Sequence, residues 1–204
     1  KKKKKFNTLI GGQAGDALTT GQENVAVGGA TLAVDTQGRF SVAIGHSALE
    51  AQNFTTATES HNVAIGHNNG KAITTGVSNT LLGSQAGRAL TDADSNIAIG
   101  HQALQTDTLG SNTVAIGQGA LLNQNFTTAT STYNTAVGHA AGNQITTGVR
   151  NVIMGGLAGD GGTTFDDCVI IGYEAGSGSL AGHDNVFVGK DAGIAVTSGQ
   201  QNVF

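Results

Sequence analysis

The sequence is poor in several residue types, and each shortage excludes a class of protein. Its 204 residues include no proline, no tryptophan, one methionine and one cysteine, and charged residues make up 12% of the chain, about half the usual share. Because Cys168 has no partner in the chain, a disulfide-stapled scaffold is excluded. A coiled coil would need far more charge. No apolar run approaches the ~18 residues of a membrane span and no signal-peptide pattern is present, so we expect a soluble chain without membrane insertion.

Basic residues are scarce once the first five positions are set aside. Lys1 to Lys5 supply half of the ten basic residues, so the rest of the chain has five basic against 14 acidic side chains, a formal charge near −9. This balance offers no basic stripe, and no nucleic-acid partner is predicted. We interpret residues 1–6 as a tag-like or unassigned basic tail. Residues 7–204 form a single repeat domain, which we expect to be a segment of a longer chain because no capping repeat flanks it.

Glycine, by contrast, is abundant, and much of it belongs to a repeat. A motif that reads Asn-Val-Ala-Ile-Gly in its best copies recurs eleven times, and its glycines keep a 17-residue spacing except at two 21-residue intervals. Each copy has the pattern of a short strand bounded by turns. We therefore predict an all-β fold, a parallel β-solenoid or β-roll of about eleven 17-residue coils. The motif glycines are Gly11, Gly28, Gly45, Gly66, Gly83, Gly100, Gly117, Gly138, Gly155, Gly172 and Gly189.

Both longer intervals contain the same segment, Asn-Phe-Thr-Thr-Ala-Thr, at residues 53–58 and 125–130. The offset between the two copies equals the length of four coils, which indicates duplication of a four-coil block. Loops carry binding residues on rigid scaffolds, so these inserts are the candidate contact surface. The alternative is that they only widen one coil or pack their phenylalanines on a neighbouring chain. The candidate binding residues are Asn53, Phe54, Thr55, Asn125, Phe126 and Thr127.

The middle residue of every motif is apolar, as are most of the residues beside it. Strand alternation turns the flanking residues, such as Val63 and Ile65, to one face and the middle residue to the other. A strand that is apolar on both faces is buried on both, and a 17-residue coil is too small to enclose both. We therefore predict that the middle residues form a seam between identical chains; a second layer within the same coil is the alternative. The predicted seam residues are Ala26, Ala43, Ala64, Ala98, Ala115, Ala136, Ile153, Ile170 and Phe187.

The rest of the coil carries further expectations. Asn precedes the strand in eight of eleven copies and is expected to form a ladder of side-chain amides from coil to coil. Cys168 takes that place in one copy and is interpreted as a small buried filler. Turns of sequence Thr-Thr-Gly at residues 19–21, 74–76 and 146–148 return the chain to the next Asn. Their glycines are expected to supply a positive φ.

The motif, quoted from residues 62–66 and 96–100, resembles the head repeats of YadA-like trimeric autotransporter adhesins and, equally, the glycine-rich repeats of bacteriophage tail fibres. The resemblance covers nearly the whole chain from Asn7. It implies a left-handed roll, three identical chains around one axis, and binding to extracellular matrix or host surfaces. The coil is longer than those of the adhesin heads, and their neck, stalk and membrane anchor are not represented. The Thr-Thr-Gly turns favour the phage-fibre version.

These observations predict a structural and adhesive fibre segment. It would be the homotrimeric shaft of a phage tail fibre or a similar appendage, located in a virion tail or at a cell surface, with a host glycan or protein as its outside partner. The alternative is the head of a YadA-like adhesin; an ice-binding solenoid and a polysaccharide depolymerase are more distant. No nucleophile elbow, P-loop or metalloprotease helix occurs, so we predict no enzymatic activity and no cofactor.

Two groups of residues raise the question of metal binding. His46, His67, His101 and His139 each follow a motif glycine, and adjacent coils should bring His46 near His67. Because other residue types occupy the same position freely, we interpret it as turn surface. Asp160, Asp166 and Asp167 occur once, without the spacing of a calcium repeat, and are interpreted as a solvated loop. No metal site is predicted.

Overall fold

The structure is a computed structural model that describes residues 6–178 and 180–204. It is a parallel β-solenoid of about eleven turns, and no helix occurs among these residues. The all-β solenoid predicted from the repeat is therefore confirmed. The predicted basic tail at Lys1 to Lys5 lies outside the described residues, and Phe6, which follows it, is exposed.

The described residues form fifteen strands of two or three residues each. In chain order these are β1 Thr8–Ile10, β2 Val25–Val27, β3 Gly38–Arg39, β4 Val42–Ile44, β5 Thr58–Glu59, β6 Val63–Ile65, β7 Thr80–Leu82, β8 Ile97–Ile99, β9 Gly110–Ser111, β10 Val114–Ile116, β11 Thr130–Ser131, β12 Thr135–Val137, β13 Val152–Met154, β14 Val169–Ile171 and β15 Val186–Val188.

Eleven of these strands, one from each motif, form a single parallel sheet. Its order is β1-β2-β4-β6-β7-β8-β10-β12-β13-β14-β15, and each strand pairs with the same positions of the next coil, as Ala43 does with Ala64. The N–H of Val63 donates to the carbonyl of Asn79 at 2.8 Å, and similar bonds connect the coils outside the strands. Proline has no N–H to donate to such a ladder, which accounts for its absence from the chain.

Two small sheets lie beside the main one, each next to an insert. Strand β3 pairs with β5, placing Gly38 opposite Thr58, and β9 pairs with β11, placing Gly110 opposite Thr130. Each insert therefore leaves the coil and returns to it in register, because Thr58 and Thr130 are the last insert residues. A 21-residue interval is four residues longer than the usual 17. This extra length changes one coil without shifting the register of the coils that follow.

The core is a narrow column inside the coils, and each coil fills it in one of two ways. Where the fourth residue after the motif glycine is leucine, that leucine is buried, as Leu49 and Leu104 are. Where it is glycine, an apolar side chain further along the coil is buried instead. In most of these coils it comes three residues later, as Ile73 and Leu90 do, and in the coils of Gly159 and Gly176 it is Phe165 and Leu180. The Cβ of an alanine substituted at Gly70 would lie 3.1 Å from Cδ1 of Ile73, so the two fillers exclude one another.

The motif glycines form a column in which neither a side chain nor a usual φ is tolerated. Gly28 has φ +136°, and a Cβ there would lie 2.7 Å from the carbonyl oxygen of Gly45. The turn glycines differ from our expectation, because Gly21, Gly76 and Gly148 do not have a left-handed φ. At Gly21 the reason for glycine is close approach, since a Cβ would lie 2.7 Å from the carbonyl oxygen of Gly38.

The predicted asparagine ladder is confirmed. Oδ1 of Asn62 accepts a hydrogen bond from the backbone N–H of Asn79 at 2.9 Å, and its Nδ2 donates to the carbonyl of Gly76 at 2.7 Å. Each asparagine thus satisfies one donor and one acceptor of the next coil. Cys168 is buried as predicted, and its Sγ takes the place of Oδ1, 3.5 Å from the N–H of Asn185. Burial raises the pKa of the Cys168 thiol.

Candidate functional site

The side of the main sheet that faces away from the core is largely apolar. We define the outer face as the first and third residues of the eleven strands, 22 positions in all. Only Thr8, Thr80 and Thr135 among them are polar, and none is charged. Leu82 and Met154 are each 45% exposed, which is high for large apolar side chains. With strands about 4.8 Å apart, this apolar surface extends about 48 Å along the solenoid.

The predicted seam residues lie on the other side of the sheet, and this part of the prediction is wrong. All nine are 0% exposed in a single chain, inside its own core, so they cannot contact another chain. The alternation itself is correct, but the inward and outward sides are reversed. The nine residues that belong to the core, and not to a seam between chains, are Ala26, Ala43, Ala64, Ala98, Ala115, Ala136, Ile153, Ile170 and Phe187.

The physical reason is size matching across the narrow interior. A middle alanine accompanies a leucine six residues later, as in Ala43 and Leu49, whereas a larger middle residue accompanies glycine, as in Leu81 and Gly87. A Cβ at Gly87 would lie 2.8 Å from Cδ2 of Leu81, so the two positions share one space. Nine of the eleven coils follow this rule.

A buried polar network supports each insert, and sequence reasoning missed it. Asp35 is 0% exposed; its Oδ1 accepts from the N–H groups of Gly38 and Phe54 at 3.0 Å each. Its Oδ2 accepts from Nε2 of Gln52 at 2.7 Å, and Oε1 of Gln52 accepts from Nδ2 of Asn62 at 2.9 Å. Both side-chain oxygens of Asp35 therefore have hydrogen-bond partners in the core, as buried polar groups require.

The same network recurs in the second four-coil block. Asp107 accepts from Gly110, Phe126 and Gln124, with Asn134 completing the chain of bonds. In both copies the acidic residue and the glutamine follow a core leucine by three positions, where most other coils have an apolar filler. The four-coil period of the sequence is the signal that could have revealed this network.

The structure separates the predicted binding residues of the inserts into two groups. Phe54 and Phe126 are only 6% and 7% exposed, so both rings are buried in their own chain. The exposed residues are Asn53, Thr55, Asn125 and Thr127. The predicted binding residues that remain exposed are consequently polar and offer amide and hydroxyl groups.

The four histidines occupy turns, as interpreted from the sequence, whereas Asp160 and Asp166 are half-buried rather than fully solvated. His46 and His67 have ring centroids 5.8 Å apart, which confirms their predicted proximity, and His101 and His139 are exposed too. Asp167 makes two 2.6 Å bonds to the guanidinium of Arg150, and this bonding lowers the pKa of the Asp167 carboxyl. Burial raises the pKa of Asp160.

Metal-ligating side chains do not converge in the part of the chain that the structure describes. No group of three or more His, Cys, Asp or Glu residues there is placed to hold a metal ion. The paired histidines supply at most two ligands, fewer than the three or four that protein zinc sites use.

A shallow cleft of about 650 Å³ opens on a different part of the coils. None of its lining residues belongs to the main sheet. The N–H groups of Ala51, Ala72 and Ala89 donate to the next coil at 3.1 Å each, so the lining is held by the axial ladder. The cleft is lined by Ala51, Lys71, Ala72, Arg88, Ala89, Gln105 and Thr106.

Two cations in successive coils set the charge of this cleft. Nζ of Lys71 lies 3.3 Å from Oε2 of Glu50, and the pKa of Glu50 is lowered by its hydrogen bond from Ser47 and also by Lys71. The exposed guanidinium of Arg88 has no ion pair or hydrogen bond within residues 6–178 and 180–204. The equal spacing of Lys71, Arg88 and Gln105, one coil apart, indicates that they stack, although no charge pattern marked them as a site.

Fold and surfaces together define a parallel β-solenoid repeat protein with one continuous apolar face. No protein-family model matches the chain, and neither a curated protein nor a solved structure matches it. Among the described residues, no helix has the length and apolar character needed to cross a membrane.

Proposed function

We propose that this chain is a structural and adhesive fibre segment, the homotrimeric shaft of a phage tail fibre or a similar surface appendage. In this role it would space or present receptor-binding parts at a virion tail or cell surface, without catalysing a reaction. The observation that carries the proposal is the outer face. An uncharged apolar surface that continues through eleven strands is typical of a protein interface.

The repeat geometry supports a second copy of the same chain as the occupant of the outer face. Every coil presents the same two positions at the same height, so an identical chain alongside would meet a matching column at each step. Burying apolar surface contributes about 25 cal/mol per Å². The correction of the seam therefore relocates the proposed contact to the outer face and keeps its apolar chemistry.

The axial hydrogen bonds support a mechanical role. Backbone bonds, the asparagine ladder and threonine hydroxyls such as that of Thr91, which donates to the carbonyl of Thr108 at 3.1 Å, all run between coils. Pulling a coil from the rod must break many of these bonds together, which favours a stiff spacer.

The alternative function, the head of a YadA-like adhesin, has one observation in its favour. Both inserts present exposed polar residues on a rigid coil, Asn53 and Thr55 in the first and Asn125 and Thr127 in the second. Such loops suit contact with a host glycan or protein. Replacing the four exposed residues Asn53, Thr55, Asn125 and Thr127 with alanine keeps the buried phenylalanines in place. This variant should lose cell or matrix adhesion if the segment is a head, and should leave adhesion by a complete fibre unchanged if it is a shaft.

The oligomer is tested by light scattering coupled to size exclusion. The expected mass is three times the 20.4 kDa of one chain. The double variant Leu82→Lys and Met154→Lys puts two charges on the outer face and should reduce the mass to that of one chain. Thr164→Lys, at an exposed position outside the sheet, is the matched control and should leave the mass unchanged. A monomeric wild-type chain would contradict the proposal.

A further inference from the structure

We infer that the cleft between Ala51 and Gln105 binds a carboxylate-bearing saccharide through Arg88 and Lys71. The choice of a saccharide rests on the proposed attachment role, whereas the preference for an anion follows from the cleft alone. A volume of about 650 Å³ lies within the ~300–1,000 Å³ of typical small-ligand sites. The lining also has their usual character, apolar with a few polar groups.

Arg88 is the group that selects the anion. Arg150 is bonded to Asp167, Lys190 is bonded to Asp191, and Lys71 is paired with Glu50. Arg39 and Arg88 have no ion pair among the described residues, and of these two only Arg88 lines the cleft. A guanidinium matches a carboxylate with two parallel hydrogen bonds, a geometry that a lone ammonium does not supply.

The alanines give the ligand's ring a place to lie. Ala51, Ala72 and Ala89 come from three successive coils and are half-buried, so the cleft lining is apolar beside the charged groups. A pyranose ring combines an apolar C–H face with polar edges, which suits this lining. Lys71 and Arg88 are one coil, about 4.8 Å, apart along the rod, so both can reach a single acidic sugar.

The acidic surroundings do not reverse this preference. Charges on exposed groups are screened beyond about 8 Å at physiological ionic strength. The carboxylate of Glu50 is paired with Lys71 rather than with Arg88. None of the residues that line the cleft is acidic.

The duplicated block shows that the coil itself does not require these residues. At equivalent positions of the two blocks, the buried network keeps the same residue types, Asp35 with Asp107 and Gln52 with Gln124. The positions equivalent to the cleft cations hold Asn143 for Lys71 and Asp160 for Arg88. The architecture was retained in both blocks, whereas the cleft has its cations in only one of them.

Isothermal titration of the full chain with tetragalacturonate, a linear oligosaccharide with one carboxylate per sugar, tests the inference. Arg88→Gln is the diagnostic variant because Gln105 occupies the same position in the next coil. We expect Arg88→Gln to weaken binding by at least about tenfold and Lys71→Gln to weaken it less, because Glu50 competes for the lysine. Arg150→Gln removes an equal charge elsewhere and should leave affinity within about twofold.

Two control ligands, followed by a measurement of oligomeric state, decide the outcome. The methyl ester of the same oligosaccharide should not bind, and inorganic phosphate at equal charge should not displace it. No titratable binding by wild type, equal binding by Arg88→Gln, or full displacement by phosphate would each overturn the inference. Light scattering of the same samples separates the two proposals. An oligomer that does not bind refutes only the cleft, and a monomer that binds refutes only the proposed assembly.

Discussion

At the scale of single residues, the coil assigns each position to one chemical type for a local reason. The motif glycine is needed because the next coil's backbone occupies the space of a Cβ, and the asparagine before the strand is needed because it bonds two groups of the next coil. Serine and threonine replace that asparagine at Ser41 and Thr113, where hydroxyls bond Ser60 and Thr132. Position in the coil, more than position along the rod, decides which residue is tolerated.

The glycine column provides the first prediction. Gly83→Ala should lower the free energy of unfolding by at least about 3 kcal/mol, because φ is +124° and the new Cβ would lie 2.7 Å from the carbonyl of Gly100. Urea unfolding followed by circular dichroism measures the change.

Gly12→Ala is the matched control for this prediction. A Cβ at Gly12 has nothing within 4 Å and its φ is not left-handed, so its effect should stay within about 0.5 kcal/mol. Equal destabilisation by both variants would show that glycine is needed for chain flexibility rather than for the close approach between coils.

At the scale of one coil, the structure alternates between two solutions for the same interior. A coil with a core leucine such as Leu32 has a polar residue, Asp35, where other coils have an apolar filler. That polar residue is then free to bond the backbone of the longer coil next to it. The insert and its support are thus built from two adjacent coils, which explains why they were duplicated together.

Asp35→Ala should loosen the first insert and leave the second unchanged. The substitution removes the acceptor for Gly38, Gln52 and Phe54, and each unpaired buried donor costs about 1–3 kcal/mol. Hydrogen exchange followed by mass spectrometry should show faster exchange at the amides of Gly38 and Phe54.

The second block is the internal control for this experiment. Exchange at Gly110 and Phe126, bonded to Asp107, should not change. Asp107→Ala should give the mirror-image result. Equal acceleration in both blocks would refute a local role and indicate a cooperative loss of the whole solenoid.

At the scale of the whole molecule, the outer face is the dominant surface. It is long, largely apolar and uncharged, in a chain with a net negative charge. A single chain leaves this surface in contact with water. The proposed assembly covers it with identical chains, while the cleft and the inserts lie on residues outside the main sheet.

If copies of the chain associate through the outer face, the melting temperature should rise with protein concentration, since association stabilises the folded state by mass action. Differential scanning calorimetry over a hundredfold concentration range, about 1 to 100 μM, measures this. The outer face has no charged residue, so added salt should not lower the melting temperature. The Leu82→Lys and Met154→Lys double variant should melt at a temperature independent of concentration. A concentration-independent wild type would contradict association.

Several features followed from local chemistry repeated at a fixed period, and the sequence by itself determined them. The regular spacing of the motif glycines predicted the solenoid and its strands, and asparagine at one phase predicted the ladder. Both predictions require only that equivalent residues of successive coils stack on one another. Stacking also places Lys71 beside Arg88. Only the structure shows that both side chains line one cleft.

Only the tertiary structure decided which side of the strand faces inward. Both sides are apolar, so alternation separates the two sets without orienting them. Closure of the coil decides, because its interior accommodates either Ala43 with Leu49 or Leu81 with Gly87, and leaves no space for the flanking valines and isoleucines. The same closure buries Phe54, whose backbone N–H donates to Asp35. The sequence determined the repeating unit, and the volume enclosed by the coil determined which surface remained for partners.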